Sequence, residues 1–133
     1  MCDKEKLEGL PRVAISIGDL NGIGMEVIMK TFQDQRMLEM CTPIVFGSNR
    51  IASFHRKALG IQQFNFQSIK HPEEAVPGKV NMINAVEKDL EIQLGQVTAD
   101  GGKGAFQSLD KACEAIEKGW ADVLVTAPIN KDN

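Results

Sequence analysis

The segment with the clearest chemical potential is the glycine-rich loop Gly18–Gly24 (GDLNGIG), which lies between a predicted strand and a predicted helix. Such a loop leaves backbone N–H groups free at the helix N-terminus, and these groups suit a phosphate or a carboxylate. The spacing departs from the dinucleotide fingerprint GxGxxG, because Val27 stands where the last glycine would be. A tight turn in which Asp19 and Asn21 bond the local backbone is the alternative, and the pattern favours neither interpretation.

The last two glycines of this loop, Gly22 and Gly24, mark the point where the chain turns into the helix. We expect one of them to have a positive φ, a conformation that glycine adopts without steric cost.

Two lysines, Lys103 and Lys131, are further candidates for contact with a ligand. Lys103 lies in DGGKG (Asp100–Gly104), which fails the P-loop pattern because Val97 occupies a glycine position and Gly104 replaces the Ser or Thr. We interpret this stretch as a flexible lead into a helix, from which Lys103 can touch a ligand phosphate. Lys131 follows the last predicted strand, at the edge of the sheet where ligands bind. It can bind a phosphate or act as an acid or base, and an exposed tail lysine is the equal alternative.

The histidines and cysteines do not form a metal or catalytic pattern. His55 and His71 have no Cys or carboxylate partner at metal-ligand spacing, and we interpret both as solvated surface residues. Cys2, Cys41 and Cys113 are widely spaced, and the last two read as small core residues. We therefore assign no catalytic residue and no metal ligand.

Composition excludes several function classes. The chain has 133 residues, 43% hydrophobic and 25% charged, with a net charge of −3, as expected for one globular domain. No window reaches the roughly 18 apolar residues of a membrane span. The acidic balance argues against a nucleic-acid partner. A charged N-terminus without a signal-peptide core, together with the few scattered cysteines, predicts a reducing, cytoplasmic location.

Short apolar strands alternate with helices, which indicates βαβ units and a mostly parallel sheet flanked by helices, an α/β fold. The predicted strands cover 12–17, 42–47, 62–69, 80–86 and 121–127, and the predicted helices cover 24–35, 48–59 and 104–118. Ser48 or Asn49 is the expected cap of the second helix, and Gly60 is its expected end. We expect the last strand to be buried. The expected apolar face of the last helix is Ala105, Phe106, Leu109, Ala112, Cys113 and Ile116.

Two segments together resemble a known family. They are RVAISIGDLNGIGMEV at 12–27 and LGQVTADGGKGAFQSLDKACEAIEKGWADVLVTAPINK at 94–131. Both are similar to the N-terminal part of the 4-hydroxythreonine-4-phosphate dehydrogenases, the PdxA family. The family loop G-[DE]-x-x-G-I-G-x-E is matched by Gly18, Asp19, Gly22, Ile23, Gly24 and Glu26, and its signature T-[AG]-P-[IV]-x-K is matched by Thr126, Ala127, Pro128, Ile129 and Lys131. The resemblance covers nearly the whole chain, but less than half of the family's usual length.

The resemblance implies the isocitrate- and isopropylmalate-dehydrogenase type of α/β fold, with the active site in a cleft between two domains of a homodimer. It implies oxidation of 4-phosphooxy-L-threonine with NAD or NADP, helped by a divalent metal. On this basis Asp19, Asn21, Gly22 and Gly24 are candidate cofactor-binding residues, and Lys131 is a candidate substrate-binding residue.

The family's GHTE-like substrate motif and metal-binding histidines are expected beyond Asn133, and neither His55 nor His71 aligns with them. We therefore expect residues 1–133 to form a single incomplete α/β domain that binds no cofactor or metal alone, shows no turnover, and associates through open strand edges. A non-catalytic α/β module that binds an anion or a nucleotide is the alternative function. A third reading is a structural half that assembles with another chain.

Overall fold

The computed structural model describes residues 9–61, 64–87 and 89–127. Its strands are β1 (Arg12–Ser16), β2 (Thr42–Gly47), β3 (Gln67–Ile69), β4 (Asn81–Asn84) and β5 (Val123–Thr126). Its α-helices are α1 (Gly24–Phe32), α2 (Asn49–Leu59) and α3 (Ala99–Glu117). Two 3₁₀ helices cover Gln35–Glu39 and Pro72–Glu74.

The described strands form one sheet in the order β3-β4-β2-β1-β5, and every pair is parallel. In the inner strand β1, Ala14 lies beside Ile44 of β2 on one side and Leu124 of β5 on the other. Because the strands are parallel, their carboxyl ends meet at one edge of the sheet, where α/β proteins bind ligands. The predicted α/β class is confirmed. Within the described ranges, no helix is long and apolar enough to cross a membrane.

The two faces of the sheet are covered by different kinds of side chain. On one face, large residues of β1 and β2 such as Ile15 and Val45 pack against α1 and α2. On the other face, Ala14 and Ile44 pack against alanines of α3. This two-sided cover explains why the inner strands are apolar along both faces.

Helix α2 has the ends that the sequence predicts. The Ser48 hydroxyl accepts a hydrogen bond from the backbone N–H of Ile51 at 3.0 Å and so caps the first turn. Gly60 ends the helix with a φ of 70°, in the left-handed conformation that favours glycine.

Helix α3 begins earlier than predicted. The stretch expected to be a loop before Gly104 is helical from Ala99, because the Thr98 hydroxyl accepts from the backbone N–H of Gly101 at 3.0 Å. The predicted apolar face is wrong at Phe106, which is 69% exposed. The helix instead buries small residues, namely Gly101, Gly104, Ala105, Ser108, Ala112 and Ala115.

Strand β5 is exposed, so the prediction of a buried last strand is wrong. Val123, Leu124 and Val125 are 46%, 36% and 47% exposed. In the described part of the chain, β5 pairs with β1 alone and no strand covers its outer edge. Its composition is that of an inner strand, and an open apolar edge favours pairing with another chain.

We expect the chain to self-associate at micromolar concentration through β5. The substitution Val125→Lys places a charge on the open strand, which disfavours edge pairing, and is expected to shift the chain toward monomer. Light scattering coupled to size-exclusion chromatography measures the change.

Met40→Lys is the matched control, since Met40 is 64% exposed and lies outside the sheet. It should leave the association unchanged. A monomer across the concentration range for the unsubstituted chain contradicts the prediction.

Candidate functional site

The glycine-rich loop Gly18–Gly24 lies at the carboxyl edge of the sheet, between the end of β1 and the start of α1. The positive φ in this loop belongs to Gly18, at 73°. The expectation of a positive φ at Gly22 or Gly24 is wrong. The chain reverses direction where it leaves the strand rather than where it enters the helix.

Gly24 is required for a different reason, which is close packing. A Cβ atom at this position would lie 1.9 Å from the carbonyl oxygen of Ile17 and 3.0 Å from the Cβ of Ala127. A Cβ at Gly22 would come no nearer than 3.6 Å to any neighbouring atom, an ordinary contact. The start of α1 therefore lies against the end of β1, and only glycine at position 24 permits the approach.

Leu20 anchors the loop to two helices. Its side chain is 1% exposed and lies against α3, where a Cβ on Gly104 would come within 2.5 Å of it. Its carbonyl oxygen accepts from Nε2 of His55 in α2 at 2.8 Å. Gly101 and Gly104 of DGGKG are therefore packing residues within a helix, and the interpretation of this stretch as a flexible lead is wrong.

Asn21 ties the loop to the segment before α3. Its Nδ2 donates to the Thr98 hydroxyl at 2.8 Å and to the Gln96 carbonyl at 3.2 Å. Its Oδ1 accepts from the backbone N–H of Gln93 at 2.6 Å, and the residue is 4% exposed. The side chain thus fixes residues 93–98, and the predicted cofactor-binding role of Asn21 stays a prediction.

Asp19 lies beside the first turn of α3. Its Oδ1 accepts from the backbone N–H of Asn21 at 2.8 Å, and a Cβ on Gly101 would come within 2.6 Å of the same oxygen. The residue is 7% exposed. The positive end of a helix dipole favours a carboxylate at this place, so Asp19 stabilises the N-terminus of α3. Its cofactor-binding role also stays a prediction.

The N-terminus of α1 differs from those of α2 and α3. Ile23 is its N-cap residue, and its apolar side chain makes no capping hydrogen bond. Glu26 in this turn forms an ion pair with Lys30 at 3.2 Å. The backbone around Gly24 can therefore donate hydrogen bonds to an anion at the carboxyl edge.

The prediction that His55 is solvated is wrong. The ring is 4% exposed, because it reaches from α2 to the Leu20 carbonyl. Burial lowers the pKa of His55, while the bond to Leu20 and the charge of Glu26 act in the opposite direction.

His71 is half-buried rather than solvated. Its Nδ1 accepts from the backbone N–H of Glu73 at 3.1 Å, and its ring lies 4.3 Å from that of Trp120.

The remaining candidates are spread over the fold. Lys103 pairs with Glu87 at 3.1 Å on the surface of α3. Lys131 lies outside the described residues, and its substrate-binding role stays a prediction.

Cys41 and Cys113 are half-buried rather than core residues, and burial raises the pKa of the Cys41 thiol. Among the residues that the structure describes, no three His, Cys, Asp or Glu side chains group to hold a metal ion.

Sequence reasoning missed the residues that hold the loop in place. His55 and Thr98 each bond a loop residue distant in sequence. Ser108 accepts from the backbone N–H of Ile17 at 2.9 Å and donates to the Phe46 carbonyl. The recurrence of small residues at helical spacing in α3 was the available signal for close packing against the sheet.

A parallel sheet with a glycine-rich turn at its carboxyl edge is the general arrangement of α/β enzymes that bind nucleotides or phosphorylated substrates. The family model described as "Pyridoxal phosphate biosynthetic protein PdxA" matches residues 39–133. The chain belongs to the PdxA family.

Individual relatives agree with this assignment. The chain is 42% identical over 120 residues to a 4-hydroxythreonine-4-phosphate dehydrogenase of Bacteroides thetaiotaomicron, a match that covers 90% of this chain and 33% of the relative. It is 31% identical over 128 residues to a Clostridium botulinum protein with the provisional name D-threonate 4-phosphate dehydrogenase, covering 92% and 37% of the two chains.

Solved structures agree as well. The crystal structure of a 4-hydroxythreonine-4-phosphate dehydrogenase from Burkholderia phymatum superposes with a TM-score of 0.81 at 28% identity, covering 92% of this chain and 38% of that one. The chain thus spans little more than a third of the length of the relatives it matches.

We expect Gly24→Ala to lower the free energy of unfolding by about 2–3 kcal/mol, because the added methyl overlaps the Ile17 carbonyl. Urea denaturation measures the loss. Gly22→Ala is the matched control in the same loop and should change stability by no more than about 0.5 kcal/mol. Equal effects of the two substitutions would contradict the packing argument.

We expect protonation of His55 to destabilise the fold below about pH 6.5, the ordinary pKa of histidine. Because burial lowers the folded-state pKa, the unfolded chain binds the proton first as the pH falls. The stabilisation is therefore complete above pH 6.5 and is lost as the pH falls through the folded-state pKa.

His55→Gln retains a donor to Leu20 but does not titrate. Urea denaturation of both proteins between pH 5 and 8 should give a smaller loss of stability on acidification for the variant. Parallel pH profiles would show that His55 does not contribute.

Proposed function

We propose that the chain forms the N-terminal part of an NAD(P)-dependent dehydrogenase that oxidises 4-phosphooxy-L-threonine, also called 4-hydroxythreonine-4-phosphate, in pyridoxal phosphate biosynthesis. The observation that carries the proposal is the 42% identity over 90% of the chain to a relative of that name. Membership of the PdxA family supports the same pathway.

The loop at the carboxyl edge supports a nucleotide-binding role for Asp19, Asn21, Gly22 and Gly24. The uncapped first turn of α1 offers backbone donors that suit a phosphate group of NAD or NADP. Asn21 and Asp19 contribute by fixing the loop, since their side chains bond or lie against α3 and the segment before it. The absence of a Cβ at Gly24 keeps the backbone close to the sheet edge.

The remaining components of the proposal come from the family resemblance. Lys131 contributes to binding of the phosphorylated substrate, and the complete enzyme is a cytoplasmic homodimer. A divalent metal would polarise the substrate oxygen in the complete enzyme. The described residues do not fit a metal ion, because no group of three suitable ligands is present among them.

A second substrate has specific support. The Clostridium botulinum relative, 31% identical over 92% of the chain, is named for D-threonate 4-phosphate. Both substrates carry a hydroxyl group to be oxidised and a phosphate, so the same edge of the sheet suits either.

A chimera tests the proposal. Residues 1–133 replace the matching N-terminal third of the Bacteroides thetaiotaomicron dehydrogenase, and reduction of NAD and NADP is followed with each phosphorylated substrate. We expect turnover with 4-phosphooxy-L-threonine, because the chain is 42% identical over 120 residues to the dehydrogenase whose N-terminal third it replaces. The isolated chain is expected to give none above a protein-free control.

The chimera carrying Gly24→Ala should lose most of this activity, whereas the chimera carrying Lys57→Ala, an exposed residue of α2, should retain it. A folded chimera that binds NAD(P) but turns over neither substrate would instead support the alternative of a non-catalytic binding module. Turnover by the isolated chain would contradict the assignment of only a part of the enzyme to these residues.

A further inference from the structure

A cleft lies away from the loop Gly18–Gly24, on the face of the sheet covered by α3. Its volume is about 290 Å³, and it is bordered by α3 and by the connection between β3 and β4. Phe46 and Ile83, both buried, form its apolar part. No residue of the glycine-rich loop lines it.

The cleft contains an aromatic pair. The rings of His71 and Trp120 lie 4.3 Å apart with an interplanar angle of 68°. Because Nδ1 of His71 accepts from the Glu73 backbone, the neutral ring carries its proton on Nε2. The pair therefore offers an aromatic contact surface and one N–H donor beside it.

Two lysines line the same cleft with spare donors. Within the described residues, the Lys70 ammonium has no ion-pair partner. Lys111 lies 3.5 Å from Glu114, but that carboxylate also faces Lys118 at 3.6 Å, so two cations share one anion. Glu74, which does not line the cleft, accepts from the backbone N–H of Lys70 at 3.2 Å. Among the lining residues, Lys70 and Lys111 carry positive charges and Glu114 carries a negative charge.

We propose that this cleft binds a small planar aromatic anion, a single ring that carries a phosphate or a carboxylate. The ring lies against Trp120 and His71, and the anionic group accepts hydrogen bonds from Lys70 and Lys111. The cleft volume is at the lower limit of known small-molecule sites, about 300 Å³, which suits one ring rather than a dinucleotide.

Trp120 is the only tryptophan of the chain, so its fluorescence reports directly on the cleft. Phenyl phosphate, benzoate and inorganic phosphate are titrated into the full 133-residue chain. We expect saturable changes in Trp120 emission with the two aromatic anions, at dissociation constants of about a millimolar or below. Inorganic phosphate should bind at least about tenfold more weakly, because it lacks the ring.

Substitutions locate the binding. Lys70→Ala and Lys111→Ala should each weaken phenyl phosphate binding by about tenfold, as expected for loss of one charge-assisted hydrogen bond. Lys57→Ala is the matched control, an exposed lysine of α2 that does not line the cleft. Circular dichroism verifies that each variant is folded.

Three results would overturn the proposal: no saturable change with either aromatic anion, equal affinity for inorganic phosphate, or unchanged affinity in both folded lysine variants. Backbone amide shifts in a ¹⁵N spectrum provide an independent readout. The perturbed amides should include those of His71 and Lys111, and shifts confined to other regions would also count against it.

Discussion

The position of Leu20 between two helices determines the geometry of the carboxyl edge. Its side chain occupies the space left by the missing Cβ of Gly104 in α3, and its carbonyl oxygen accepts from His55 of α2. Its backbone N–H faces the Gly101 carbonyl at 3.5 Å. Because these helices cover opposite faces of the sheet, one residue links both layers and thereby holds the loop that follows β1.

Local chemistry made much of the fold predictable. Strand β2 occupies the predicted residues, and the Ser48 cap and Gly60 terminus bound α2 as expected, because caps and left-handed glycines act within a few residues. The exposure of β5 was not predictable in this way, because exposure depends on which strands are neighbours in the sheet. The start of α3 has a local cap in Thr98, but the packing of Gly101 and Gly104 against Asp19 and Leu20 joins residues that are distant in sequence.

In the candidate site, too, some features have a local signal in the sequence and others depend on distant contacts. Its location followed from the order of strand, glycine-rich loop and helix, since that order alone places the loop at the carboxyl edge. The roles of single residues did not follow. His55 lies 35 positions from Leu20, and Asn21 lies 77 positions from Thr98, so neither hydrogen bond has a local signal. A polar residue in an apparently exposed helix can therefore be a buried contact whose partner only the fold reveals.

Ser108 shows why the loop leaves the sheet where it does. Its hydroxyl accepts from the backbone N–H of Ile17 and donates to the carbonyl of Phe46, the neighbouring position in β2. One hydroxyl thus bonds the backbone just after the end of β1 and the backbone of β2. Since the N–H of Ile17 bonds to a helix rather than to a strand, the sheet ladder ends at Ser16 and the chain is free to turn at Gly18. The small residues of α3 bring this hydroxyl close enough to the sheet, so the packing of one helix determines both the end of β1 and the start of the site.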